Sequence, residues 1–341
     1  MKIKTESELE ELLSRPDEET ASAMAAMDGD LLILGAGGKM GPCLARLARR
    51  AIVRAGIKKQ VFAVARFTND KLPSELATQG IETIACDLLD RRSLDKLPDI
   101  PNVIFMAARK FGTSGEEHLT WAMNTYLPGV VAERYRNARI VTFSTGNVYP
   151  LRTLSEGGAR ESTPVGPVGE YAQSALGRER MFEYGSMRWG TPVVILRLNY
   201  AVELRYGVLV DIGRAVFERR PIDLSMPRVN VIWQRDANSW RLRSFAYCQS
   251  PPLVLNITGP ETLSVRELAL EFGHHFGFAP TFVSSSEGSS ALLSNVSKAR
   301  ALFGSPTVRP QEMVEWIASW IRDGGAMLNK PTRFQTRDGV F

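Results

Sequence analysis

The chain has 341 residues, 44% of them hydrophobic and 23% charged, which excludes large-scale disorder and leaves room for one large domain or two smaller ones. Its net charge of +5 is scattered, and no aromatic residues interleave with the densest basic group, Arg46 to Lys59, so nucleic acid is not an expected partner. Cys43, Cys86 and Cys248 lie far apart, and His118, His274 and His275 lack metal-ligand spacing; no metal site is expected, and a reducing, cytoplasmic setting is. The start, Met1 to Leu12, is charged rather than apolar, and no run reaches membrane-spanning length, so neither a signal peptide nor a membrane partner is expected.

Residues 1–29 read as a helical preface, with Thr5 and Glu8 able to form a capping box, an apolar stripe at Leu9, Leu12 and Leu13, and Pro16 as its stop. From residue 30 apolar strands at 31–34, 61–65, 82–85, 103–106, 140–143 and 193–197 alternate with helical or loop stretches. That alternation predicts an α/β fold with a doubly wound parallel sheet, the Rossmann arrangement.

The first strand runs into Gly35-Ala-Gly-Gly-Lys-Met-Gly41, and Met40, Leu44, Leu47 and Ala51 then recur at helical spacing. In such a turn the first glycine permits the tight bend, the middle pair lets backbone approach a pyrophosphate, and the last lets helix pack on strand. Gly35, Gly37, Gly38, Lys39, Met40 and Gly41 are therefore expected at a dinucleotide, its phosphates on the positive helix N-terminus. An acidic residue closing the second strand would accept from the ribose 2′-hydroxyl of NAD. Here Arg66 follows that strand and can meet a 2′-phosphate, so NADP is expected over NAD.

The stretch 150–170 is rich in glycine and proline and reads as a loop over the sheet's carboxyl edge, where ligand sites lie. Tyr171 opens the helix after it, and Thr145 ends the fifth strand; both would face the nicotinamide end. After Arg197 the periodicity weakens until Leu253 to Asn256, one more strand, expected to return to the main sheet. Met313, Trp316, Ile317, Trp320 and Ile321 then mark an amphipathic helix. The expected division is a preface at 1–29, a cofactor domain at 30–198 with the returning strand, a smaller mixed substrate lobe at 199–330, and a polar tail at 331–341.

These features resemble the extended short-chain dehydrogenase/reductase family, the NAD-dependent epimerases and dehydratases, over nearly the whole chain. Besides the glycine turn, Asp87-Leu88 resembles the family's contact near the adenine, Ala107-Ala108 its alanine pair after strand four, and Asn124 its structural asparagine. Ser144 to Tyr149 resembles its Ser-Ser-x-x-Val-Tyr stretch, and Ser297 to Arg300 its late Ser-Lys-Ala-Arg turn. The resemblance implies Thr145 as the hydroxyl that polarises the substrate oxygen and Tyr171 as the group that moves the proton. Asn147 is expected at the substrate as well.

The resemblance also implies a lysine four residues after the tyrosine, which lowers the phenol pKa and holds the nicotinamide ribose; here that position is Ala175. A phenol without a nearby cation stays near about 10 and is a poor base at neutral pH. Two readings follow. In one, Lys110 or Arg178 takes over the lysine's role in an epimerase or reductase acting on a sugar-like hydroxyl; in the other, the chain is an NAD(P)-binding sensor with little redox activity. The sequence favours the enzyme. Dehydration is the weakest of its options, because Gly146-Asn147 supplies no acid/base pair.

Arg197-Leu-Asn199 resembles the Arg-x-x-Asn segment in part, which points to Asn199 as a substrate contact. The family's Tyr-Gly-Pro is replaced by Tyr200-Ala-Val-Glu203. Arg214, Arg219 and Arg220 fall in the expected lobe, where guanidinium groups suit diphosphates. A sugar-like small molecule is the expected partner, and a homodimer is compatible with the family.

Overall fold

The computed structural model describes residues 2–110 and 115–340; Met1 and Phe341, at the ends of the predicted preface and tail, lie outside the described residues. Seven parallel strands form the central sheet: β1 (Leu31–Leu34), β2 (Val61–Ala65), β3 (Glu82–Ala85), β4 (Asn102–Phe105), β5 (Arg139–Thr145), β6 (Val193–Leu198) and β7 (Leu253–Ile257). Their spatial order is 3-2-1-4-5-6-7. β1 and β4 are fully buried, as expected for a sheet covered on both faces. The chain reverses direction across the sheet between β1 and β4, and a crevice opens there at the carboxyl edge.

Of the helices, α1 (Glu6–Leu13) carries the predicted Thr5/Glu8 capping box. α2 (Glu18–Ala26) and α3 (Gly41–Arg54) follow, and α4 (Gly169–Trp189) carries Tyr171. Then come α5 (Val208–Phe217), α6 (Gln234–Arg243), α7 (Val265–Phe276) and α8 (Pro310–Arg322). Among the described residues no helix is long and apolar enough to cross a membrane.

Two apolar cores organise the chain. One joins the sheet, α2 and α3 to Ile232, Trp240, Phe245, Val296 and Phe303. The other joins α5, α7 and α8, and Leu9 and Leu13 of α1 plug into it. The strand expected to return near 253–256 does so as β7, and residues 232–248 and 296–303, which fall within the sequence range expected for the lobe, also pack largely on the sheet. Sequence distance hid this, because α6 reaches α2 and α3 only after a long excursion. The C-terminal stretch also departs from expectation. Instead of a loose tail, Thr332 and Phe334 are buried, and Arg337 donates to the Ser290 and Ser225 carbonyls.

A buried polar network fixes the sheet's carboxyl edge. Arg197 on β6 pairs with Glu179 on α4 at 2.6 Å and donates to the Tyr149 hydroxyl at 2.6 Å. Tyr149 donates to Asn256 on β7 at 2.9 Å, and Ser144 on β5 donates to Glu179. Both charged side chains are under 7% exposed, so removing one partner strands the other in a dry interior. Glu179→Ala is expected to cost about 3–5 kcal/mol, read as a lowered denaturation midpoint in urea.

Candidate active site

Gly35 has φ +93°, a conformation that side chains resist, and a Cβ there would lie 2.5 Å from the Ala107 nitrogen after β4. A Cβ on Gly41 would lie 2.1 Å from the Ala36 carbonyl oxygen. These two glycines are therefore required by the fold itself. Gly37 and Gly38 are exposed, and a Cβ on Gly38 would meet nothing closer than 3.7 Å. The backbone at Gly38, in the turn that leads into α3, is thus uncrowded, which fits a pyrophosphate.

Beside the turn lies a cavity of about 240 Å³ that Gly35, Gly38, Arg66, Asp87, Leu88 and Ala108 line. It brings together the predicted adenine-end residues from four separate loops. Ala107 also lines it, in addition to forcing the glycine at 35. Arg66 is exposed at its edge. Asp87 accepts from the Leu89 backbone at 3.0 Å, which steadies that loop.

On the far side of the turn a second cavity, of about 150 Å³, holds Lys39, Met40, Lys110, Thr145, Asn147, Tyr171 and Asn199. Thr145 Oγ1 accepts from the Asn147 backbone at 3.2 Å and side-chain amide at 3.0 Å, and Tyr171 lines the same cavity. Burial pushes the Tyr171 pKa up, while the neighbouring Thr145 hydroxyl and the Arg178 charge pull it back. The phenol is therefore protonated at neutral pH.

Position 175, where the resemblance implies a lysine, is buried in a small apolar cluster with Val148 and Tyr149. Cations reach Tyr171 from elsewhere. Lys110 Nζ lies 5.6 Å from the Tyr171 ring centroid, and burial lowers its pKa to about 8. Arg178, two turns beyond Tyr171 on α4, is 4% exposed; it donates to the Phe143 carbonyl at 2.7 Å and to Asn124 Oδ1 at 3.0 Å.

Asn124 positions both cations. Its Oδ1 accepts from the Arg109 backbone N–H at 2.9 Å while its Nδ2 donates to the Arg109 carbonyl at 2.8 Å, so the peptide next to Lys110 is clamped from both sides. Asn124 sits in the middle of a π-helical turn, Ala122–Tyr126, a local widening that often marks functional sites.

The remaining expected substrate residues each have partners within the protein. Asn199 is 2% exposed and its amide donates to Asn230 Oδ1 at 3.2 Å and the Leu292 carbonyl at 3.3 Å, so it ties β6 to the lobe while lining the cavity. Arg219 stacks over Phe278. Arg214 and Arg220 both pair with Glu218 and line a neighbouring cavity of about 520 Å³ together with Lys330 and Arg333.

Tyr206, Asp211 and Thr332 line the cavities without having been expected there. Tyr206-Gly207 offered a signal, a Tyr-Gly pair just before the apolar run of α5. Glu203 and Tyr206 close a tight turn through their backbones, which brings Tyr206 back over the site. Nothing near Thr332 in sequence marks it.

A family model described as the NAD dependent epimerase/dehydratase family matches residues 31–202. The chain belongs to that family. No curated protein sequence matches significantly. Among solved structures, UDP-glucose 4-epimerase with UDP-glucose from Thermotoga maritima is similar at 15% identity and TM-score 0.69, over 86% of this chain and 98% of that one. UDP-glucuronic acid 4-epimerase from Bacillus cereus with NAD is similar at 18% identity and TM-score 0.70, over 86% and 98%. The Bordetella bronchiseptica enzyme WbmG, in complex with NAD, is similar at 18% identity and TM-score 0.69, over 90% and 98%. At these identities the likeness shows a shared epimerase-type fold.

Within this family fold, the two kinds of glycine make a testable contrast. Gly38→Ala is expected to change stability by less than about 0.5 kcal/mol, since its Cβ meets only the Gly35 carbonyl oxygen, at an ordinary contact distance of 3.7 Å. Cofactor affinity should fall at least tenfold in the same variant, measured by fluorescence titration. Gly41→Ala should lower the melting temperature outright.

Proposed function

We propose that the protein is an NAD(P)-dependent epimerase or reductase acting on a sugar-like hydroxyl carried by a nucleoside diphosphate. Residues 30–198 carry the cofactor and 199–330 contribute most of the substrate side. The observation that carries this reading is that Thr145 and Tyr171 line one cavity with Lys110 against the Tyr171 ring. The family, the NAD in similar structures and the basic cavity of Arg214, Arg220, Lys330 and Arg333 support it.

Gly35, Gly37, Gly38, Lys39, Met40, Gly41, Asp87, Leu88, Ala107 and Ala108 would hold the cofactor, which when bound supplies hydride exchange. Thr145 hydrogen-bonds the substrate oxygen and Asn147 holds the Thr145 hydroxyl in place. Tyr171 gives its proton to that oxygen during reduction and takes one back during oxidation. Lys110, with Arg178 behind, stabilises the phenolate that oxidation needs, in place of a lysine at 175. Asn199 keeps the β6 end of the cavity in place.

The phenol pKa is raised, so at neutral pH the acid form dominates and the oxidative direction is limited by phenolate. Its rate should rise about tenfold per pH unit from pH 6.5. The rise should flatten near pH 8, where Lys110 loses its charge. Lys110→Met should lower the rate and remove that bend. Tyr171→Phe should cut turnover by about 10²–10⁴-fold while leaving cofactor affinity within twofold. Unchanged turnover in Tyr171→Phe would remove the tyrosine from the reaction.

The cofactor preference rests on Arg66, and we propose NADP. A guanidinium–phosphate hydrogen bond contributes about 1.5–3 kcal/mol, so Arg66→Ala should weaken NADP binding roughly 10–100-fold. NAD binding should change less than threefold, both by calorimetry.

The burial of Ala175 in an apolar cluster favours a second reading, a binding protein that has given up turnover. Bound cofactor and sugar nucleotide without turnover at any pH would select it.

A further inference from the structure

Arg241, on α6, is a buried charge that the site described above leaves unused. Its side chain is 0% exposed. Among the described residues its Nε and Nη2 meet no hydrogen-bond partner, and Nη1 meets only the Met106 Sδ at 3.5 Å. No carboxylate is among its partners: Asp236, the acidic residue of the same helix, is taken by Arg235 and by the Thr307 N–H and hydroxyl. Desolvation holds the Arg241 pKa well below its ordinary value, and the nearby Cys43 thiol is itself pushed up to about 12 by burial, so it supplies no negative charge. A guanidinium keeps its proton at neutral pH, and a dry interior makes an unpaired one costly.

The place of that charge in the fold matters. α6 starts at Gln234, on the wall of the inner cavity, and side chains on a helix lean toward its N-terminus, so the Arg241 side chain runs back toward the carboxyl edge of the sheet. There its Cζ stacks 2.9 Å from the ring centroid of Phe143, near the end of β5. Met106, just past β4, lines the adenine-end cavity together with Gly35 and Gly38. One turn earlier on α6, the Asn238 amide reaches Cys43 Sγ at 3.2 Å and the carbonyl of Met40, the residue before α3, at 3.5 Å. The guanidinium therefore lies under the glycine turn, with the Met106 side chain between it and the cavity.

We propose that Arg241 is a positioning residue for the cofactor, its buried guanidinium serving as counter-charge to the dinucleotide pyrophosphate from beneath the glycine turn. Little solvent lies between the two to screen that attraction. The inference rests on the cofactor reading above and adds to it a charge from α6, about two hundred residues beyond the turn whose backbone faces the phosphates.

The test is calorimetric titration with NAD and NADP, together with thermal melting of the cofactor-free protein. Arg241→Met removes the charge at similar volume and should weaken both dinucleotides at least roughly tenfold and to the same extent, because they share the pyrophosphate. That equal loss differs from the loss of NADP alone expected for Arg66→Ala. Arg241→Lys keeps the charge and should restore most of the affinity. The melting temperature of cofactor-free Arg241→Met should hold or rise, since an unpaired buried charge has been replaced by an apolar side chain. Arg241→Gln, which is polar and uncharged, gives the same affinity comparison if Arg241→Met does not fold. Affinities within about twofold of the unmodified protein in the uncharged variants, or an equal loss in Arg241→Lys and Arg241→Met, would overturn the inference and leave the cofactor reading standing. Failure of the unmodified protein to bind either dinucleotide would overturn the two together.

Discussion

The Glu179–Arg197 pair is the interaction on which the site's geometry depends. It links the helix that carries Tyr171 to the strand that ends beside Asn199, and Ser144, next to Thr145, bonds the same carboxylate. Through Tyr149 it reaches Asn256 on the last strand, whose amide in turn donates to the Ala159 and Asn295 carbonyls. Two buried charges tolerate each other only in a narrow geometry, because each is costly to leave unpaired. The strand ends, the loop at 150–170 and the tyrosine helix are consequently held in one register.

On that frame the chain distributes positive charge in an unusual way. Where the family resemblance implies one lysine on the tyrosine helix, this protein buries an alanine and brings cations from three other places. Lys110 comes from the loop after β4, Arg178 from two turns further along the helix, and Lys39 from the glycine turn. Asn124 clamps the peptide beside the first and bonds the second, so their spacing follows one buried amide. Like charges held this close raise each other's cost, and the fold answers with Asp211 and the docked C-terminal stretch.

Much of the cofactor half could be read from residues alone. Strands appeared where short apolar runs lay, because a strand buried on both faces has nowhere for a polar residue. Gly35 and Gly41 were legible because steric exclusion acts within a few residues of chain, or against the alanine after the next strand in the sheet. Asn199 lines the cavity, but its side chain also bonds Asn230 and Leu292, partners 31 and 93 residues away that no local pattern announces. Arg219 likewise finds Phe278 across the lobe. Thr332 was invisible for the same reason, sitting in a stretch whose polarity suggested a tail.

The amino-acid sequence by itself determined the sheet, its parallel sense, the glycine turn and the pairing of Thr145 with Tyr171 at one edge, since each follows from periodicity or from contacts between neighbouring elements. Tertiary structure alone decided which cations stand near the tyrosine, that α6 belongs to the sheet's core, and that the C-terminus closes on Asp211. Those outcomes depend largely on packing between segments distant in the chain, such as Asp211 and Thr332, 121 residues apart, and electrostatic fields act across space regardless of chain order.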